Sequence, residues 1–263
     1  MTDTVSVITG ASSGIGAAYA ERLAARGGDL LLVARRGDRL EALADRLRKA
    51  HGVEVETLVA DLQDARDLRA LETRLETRPV AMLINNAGAG GLGPTAMKGG
   101  DAQERLIDLN IVALTRLSLA ALTGFREAGR GTLVNIASVV AFSPSAGGAA
   151  YSGSKAFVLN FTRALQMEYE KSDVRIQVVL PGPIRTEFFS SQGMDDSVFP
   201  AGAYITPEQM VDAALAGLDA GEAITVPTLV TPSIWDDMEA VRGRFLGDII
   251  GGKVASRYLG QPA

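Results

Sequence analysis

The sequence predicts an α/β fold: a doubly wound parallel sheet of about seven strands with helices on both faces. Three observations carry that prediction. Short apolar, β-branched runs alternate with longer helical patterns. Runs such as LLLVA are continuously apolar, as strands covered on both faces require. The first run passes through a glycine-rich turn straight into the first helical pattern, as the opening of a strand–helix–strand unit does.

In chain order, strands are expected at 5–9 (VSVIT), 30–34 (LLLVA), 55–60 (VETLVA), 81–85 (AMLIN), 132–137 (TLVNIA), 175–180 (RIQVVL) and 223–227 (AITVP). Helices are expected between them at 15–26, 39–50, 64–77, 102–126, 151–169 and 207–220. In the second helix, Leu40, Leu43 and Leu47 fall on one face at spacings of three and four. Two stretches interrupt the alternation. Residues 183–205, PIRTEFFSSQGMDDSVFPAGAYI, form a long loop rich in aromatics, Ser and Gly, of the kind that serves as a lid over a substrate. The tail, 228–263, carries the only tryptophan, Trp235, and reads as a surface-packing or oligomer-contact helix rather than a closure element. There is no repeat, low-complexity linker or composition break, so a single domain over 1–263 is expected.

Of the residues, 47% are hydrophobic and 22% charged, enough for one sizeable core. Net charge is 26 − 31 = −5, which argues against nucleic acid or an anionic membrane as partner. There is no cysteine, hence no disulfide and no thiolate ligand. The opening MTDTVSVITGASSGIG does not read as a signal peptide, and no window approaches the ~18 uninterrupted apolar residues of a membrane span. A cytoplasmic location is therefore expected. The lone histidine, His51, precedes Gly52 at a helix end and reads as a cap position. The acidic pairs Asp195–Asp196 and Asp236–Asp237 lack metal-ligand spacing, so no metal is expected.

Two ends of the sheet carry chemistry. At the first, Gly10, Gly14 and Gly16 are spaced G-x-x-x-G-x-G between strand and helix. Missing β-carbons let backbone approach a pyrophosphate, which then meets the free N–H groups and positive dipole end of the helix. Ser12 and Ser13 can add hydroxyl donors, and Ile15 lies within the same turn. Arg35 follows Gly16 by 19 residues (35 − 16), at the end of the second strand, where such folds meet the adenosine ribose. An acid there would bind the 2′-hydroxyl of NAD. Arg35 and Arg36 instead offer guanidinium clamps for a 2′-phosphate, which points to NADP, with Arg35 the better candidate of the two.

At the second end, Tyr151 and Lys155 lie four apart at a helix start, on one face. A phenol with pKa about 10 is a poor base at neutral pH, and a nearby ammonium is expected to bring it into range. Ser138 ends the strand TLVNIAS 13 residues earlier (151 − 138), at the edge where such sheets bind ligands, and could hold a carbonyl or alcohol oxygen.

With these stretches in place, the sequence resembles the short-chain dehydrogenase/reductase family in its compact, Rossmann-type single-domain branch. The resemblance rests on TGASSGIG at 9–16, DL at 61–62, NNAG at 85–88, Asn110, Ser138, YSGSK at 151–155 and PGPIRT at 181–186, in family order over roughly 5 to 190. It implies a catalytic tetrad of Asn110, Ser138, Tyr151 and Lys155. Tyr151 would be the acid/base, Lys155 would tune it and hold the nicotinamide ribose, and Asn110 would help hold a relay water. It further implies that Asp61 and Leu62 meet the adenine and that the Asn86, Ala87 and Gly88 backbone lines the adenine ribose. Pro181, Gly182, Ile184 and Thr186 would lie by the nicotinamide.

NADP(H)-dependent hydride transfer at a carbonyl or secondary alcohol is the leading expectation. A non-catalytic dinucleotide-binding sensor or scaffold is the alternative. A nucleotide-sugar epimerase or dehydratase would need more than the ~75 residues after Thr186. For the substrate, Ser138, Tyr151, Val140 and Phe188, with Phe142, Ala146, Phe189, Phe199 and Tyr204, suggest an apolar pocket. The resemblance suggests a homotetramer or homodimer joined through the helices near 102–126 and 151–169.

Overall fold

The computed structural model describes residues 5–144, 146–193 and 199–259. Asp195–Asp196, part of the 183–205 loop and the last residues of the tail lie outside them. Seven parallel strands form one sheet in the order β3-β2-β1-β4-β5-β6-β7: β1 Val5–Thr9, β2 Leu30–Ala34, β3 Val55–Val59, β4 Val80–Asn85, β5 Gly131–Ile136, β6 Val174–Val179 and β7 Ile224–Thr225. Between them run α1 Gly14–Ala25, α2 Gly37–His51, α3 Ala65–Thr77, α4 Gly100–Ile107, α5 Leu114–Ala128, α6 Ala149–Glu168 and α7 Pro207–Asp219.

The sheet is buried on both faces, and strand residues divide between them by alternation. Ile8, Leu30 and Leu32 join the core under α1, α2 and α7; Val7, Leu31 and Val33 join the core under α3 and α5. Each such fully buried side chain contributes about 1.5–3 kcal/mol. Uncharged polar groups tie the second layer to the sheet. Asn85 Nδ2 donates to Asn135 Oδ1 and to Ser118 Oγ, each at 3.0 Å, and Asn135 Nδ2 donates to Thr162 Oγ1 at 2.9 Å. Strands β4 and β5 and helices α5 and α6 are thereby pinned at fixed register.

Three local expectations change. The seventh strand shrinks to two residues, since only Ile224 and Thr225 pair with β6. His51 is the last residue of α2, before a left-handed Gly52, and its Nε2 lies 2.8 Å from Glu21 Oε1. The helix expected over 102–126 is three pieces: α4, a π-helical turn at Asp108–Ala113, and α5. The run Gly100–Ala128 is long and apolar enough to cross a membrane, but half of its most apolar stretch is buried in the protein, where α5 packs on β4 and β5.

The chain divides into two compact units, Met1–Pro227 and Thr228–Ala263, where the sequence suggested one domain with a tail from 228. The second unit holds α8, Ser233–Ile249, which has no buried residue, and a short 3-10 turn at Ser256–Tyr258. Among the described residues no three His, Cys, Asp or Glu side chains cluster as metal ligands would.

Candidate active site

Strand order reverses direction between β1 and β4, so the loops leaving their carboxyl ends part and open a crevice. The glycine turn forms one side of it. Gly10 has φ +68°, a left-handed conformation natural to glycine, and a β-carbon on Gly16 would stand 2.4 Å from Gly10 O. The turn closes tightly for that reason. The first turn of α1 contains no acid, and its N-cap Ser13 makes no side-chain capping bond. Free N–H donors and a positive dipole end therefore face the crevice. Thr9 stitches this side to β4: its Oγ1 accepts from Asn86 N and Ala87 N, each at 3.0 Å. Asn86 Nδ2 in turn donates to Thr9 O at 2.9 Å. Its side chain is committed to backbone, so any contact with a ligand comes from the main chain of 86–88.

Of the two arginines after β2, Arg36 is the one at the turn. It donates to Ser12 Oγ through Nε at 3.2 Å and through Nη2 at 3.1 Å, and to Ser13 Oγ through Nη2 at 2.6 Å. Arg35 points away, 69% exposed, with Nη1 3.9 Å from Asp61 Oδ2. Successive residues leaving a strand diverge, and here the second returns over the glycine turn. Asp61 sits beside it at the end of β3 with Leu62 buried, and its Oδ1 accepts from Gln63 N at 3.1 Å.

The second cluster gathers on α6. Ser138 lies close enough to Tyr151 for its hydroxyl to favour the phenolate. Ser138 Oγ also donates to Pro181 O at 3.3 Å and accepts from Val140 N at 3.4 Å. Lys155, 7% exposed, donates to Ile136 O at 2.9 Å, and its Nζ lies 5.8 Å from the Tyr151 ring centroid. A β-carbon on Gly88 would meet Asn110 Oδ1 at 3.3 Å and Lys155 Nζ at 3.7 Å. Backbone 86–88, Asn110 and Lys155 therefore share one wall of the crevice. Asn110, in the π-turn, grips Ala89 from both sides, donating to its carbonyl at 2.9 Å and accepting from its N–H at 2.8 Å. It also donates to Ser154 Oγ at 3.1 Å, and Ser154 donates to the Tyr151 carbonyl at 2.7 Å. Ser154 escaped the sequence reading, although it sits three residues after Tyr151 on the same helix.

Electrostatics depart from expectation. Burial pushes the Tyr151 phenol up to about 12, against the smaller opposing effect of Ser138. Burial likewise pushes Lys155 down to about 8. Dehydration is the largest influence on both groups.

The loop after β6 forms the lid side. Thr186 lies against the glycine turn, its Cγ2 3.1 Å from where a Gly14 β-carbon would be. Ile184 is buried and bridges to Ile205. Phe188 packs against Tyr151, centroids 5.4 Å apart. Phe189 packs edge-on against Phe188 at 5.3 Å and meets Phe199 and Tyr204 in a cluster at 6.0–6.1 Å, a core within the loop, and Ala146 is exposed. Of the expected apolar lining, Phe188 lies next to Tyr151 and Val140 next to Ser138.

The residues present fit a dinucleotide: uncapped helix donors, a turn without β-carbons, an arginine over two serines, and a lysine and asparagine behind Gly88. Comparison with known proteins agrees. Residues 4–197 match the family model for short chain dehydrogenase. A short-chain dehydrogenase from Sphingobium yanoikuyae, solved in complex with NADPH, is 44% identical over 97% of this chain and 100% of that one, with TM-score 0.93. The bulky-bulky ketone specific alcohol dehydrogenase from Comamonas testosteroni is 38% identical over 97% and 98%, with TM-score 0.88. Sulfoacetaldehyde reductase 2 from Chromohalobacter salexigens is 37% identical over 81% of this chain and 86% of its own. Human inactive hydroxysteroid dehydrogenase-like protein 1 is 33% identical over 68% of this chain, which spans 56% of that protein's length.

Proposed function

The chain belongs to the short-chain dehydrogenase/reductase family, and from that premise we propose the reaction and the residues that perform it. It is an NADP(H)-dependent oxidoreductase that interconverts a carbonyl and a secondary alcohol. When bound, the coenzyme supplies or accepts the hydride. The first turn of α1, the Gly10–Gly16 turn and the 86–88 backbone hold its diphosphate and ribose, with Arg36 at the 2′-phosphate. Asp61 and Leu62 border the adenine, and Pro181, Gly182, Ile184 and Thr186 border the nicotinamide.

The chain's own part in the chemistry is proton transfer and orientation. Ser138 holds the substrate oxygen, and Tyr151 donates a proton to it in reduction or removes one in oxidation. Lys155 binds the nicotinamide ribose and offsets negative charge developing on the phenol. Asn110, fixed by Ala89 and Ser154, keeps the wall behind Lys155 in place. Reduction is the working direction, because cellular NADP pools are kept reduced, in a cytoplasmic setting. The substrate is an apolar ketone or alcohol, a reading supported by Phe188 and Val140 and by the bulky-bulky ketone specificity of the Comamonas enzyme. A homodimer or homotetramer through α4–α5 and α6 accords with their exposed Ile107, Val112, Leu119, Phe157 and Met167.

One observation carries catalysis over mere binding: Ser138, Tyr151 and Lys155 converge, with Lys155 Nζ 5.8 Å from the Tyr151 ring and Ser138 near enough to act on the phenol. Relatedness alone would not, since a protein named inactive is 33% identical. With NADPH and a panel of bulky ketones, Tyr151→Phe is expected to lower kcat by about 10³-fold. Its dissociation constant for NADPH should stay within about twofold of the parent. Turnover that survives the substitution removes Tyr151 from its role.

A further inference from the structure

The first residue after the PGPIRT stretch, Glu187, has a place that the reaction does not require. Its Oε2 accepts from Arg36 Nη1 at 2.8 Å, while Arg39 Nη1 donates to both of its oxygens, at 2.8 and 3.1 Å. The two arginines hold its carboxyl well down, to about 2. Arg36 is the same side chain that spans Ser12 and Ser13 at the glycine turn. A carboxylate shared by two guanidiniums at the mouth of a phosphate site presents what a phosphate would: anionic oxygens spaced for forked bonds.

We propose that Glu187 is an internal stand-in for the 2′-phosphate of NADP(H). Coenzyme binding exchanges carboxylate for phosphate on Arg36 and Arg39 and frees the start of the 183–205 loop from α2. NADH has no group to make that exchange and leaves Glu187 in place. The loop thus registers which coenzyme is bound. The inference rests on the proposed NADP(H) reading of Arg36. Gln192 fastens the same loop elsewhere, its Oε1 accepting from Leu92 N at 3.0 Å and its Nε2 donating to Phe188 O at 2.7 Å. No phosphate-binding group takes part there, so this tether persists while Glu187 exchanges.

Adenosine 2′-monophosphate and adenosine 5′-monophosphate separate the possibilities, titrated calorimetrically at low salt into the parent and Glu187→Gln. Glu187 is half exposed, so the variant is expected to fold. Removing an internal competitor should tighten the 2′-phosphate ligand about threefold, the scale of a half-exposed ion pair, and leave the 5′-phosphate ligand unchanged. In the parent, hydrogen exchange over 185–190 should quicken with the 2′-phosphate ligand alone. Unchanged or weaker 2′-phosphate binding in the variant overturns the proposal, weaker binding meaning that Glu187 holds Arg36 in position for the ligand. Absence of the exchange effect overturns the release of the loop. If neither protein prefers the 2′- over the 5′-phosphate, the NADP(H) reading of the arginines falls, and the stand-in falls with it.

Discussion

Tyr151 and Lys155 titrate away from their usual values in opposite directions, both because of burial, and the consequences differ by reaction direction. With its pKa at about 12, the phenol is protonated throughout the neutral range, the state that reduces a carbonyl. Lys155, at about 8, carries its charge below that pH and loses it above. We expect kcat/KM for NADPH-dependent reduction to be flat from about pH 6 to 7.5 and to fall as pH rises through about 8. Alcohol oxidation, which needs the phenolate, should quicken across that interval. A reduction profile that climbs from pH 7 to 9 contradicts this assignment. Residue types and local spacing made Ser138, Tyr151 and Lys155 legible, because the reaction needs those groups and α6 brings two of them to one face. Glu187 was not legible. Its arginines are 148 and 151 residues away, and nothing in the local pattern links them. That Arg36 meets Ser12 and Ser13 was equally hidden, since it depends on how the chain leaves β2.

Elements were read well wherever the apolar pattern is long, and poorly where one pattern covers two geometries. The run 102–126 keeps its apolar spacing on both sides of the π-turn, so periodicity alone reads a continuous helix; the turn surfaces only through its hydrogen bonding. Strand β7 was overread because AITVP is strand-like in composition while only two residues find partners. The asparagines inside β4 and β5 look out of place in apolar strands until their bonds are traced. Asn135→Ala removes the acceptor of Asn85 and the donor to Thr162 together, deep between sheet and helices. The expected cost is roughly 1–3 kcal/mol in urea unfolding, with the midpoint falling and the slope unchanged. A loss below about 0.5 kcal/mol would mean that the network contributes register but little stability.

At the scale of the molecule, the doubly wound sheet and its crevice followed from the alternation of strands and helices, because the hand of the crossovers leaves few topologies. Assembly is a different matter, since a surface pattern does not name its partner. Exposed apolar residues on α4–α5 and α6, with Phe157 stacked on Phe161 at 5.6 Å, lead us to expect light scattering to return two or four times the 27.6 kDa chain mass. Phe157→Glu should shift the protein toward the single-chain mass. A parent protein that is already monomeric at micromolar concentration excludes that interface. The π-turn at Asp108–Ala113 has a genetic consequence as well. A π-turn is an α-helix carrying one surplus residue, so losing a single codon there would restore an unbroken helix. The flanking helical segments could keep their seats on the sheet while Asn110 lost its hold on Ala89 and Ser154. One in-frame deletion there is thus expected to separate foldability from chemistry in this chain.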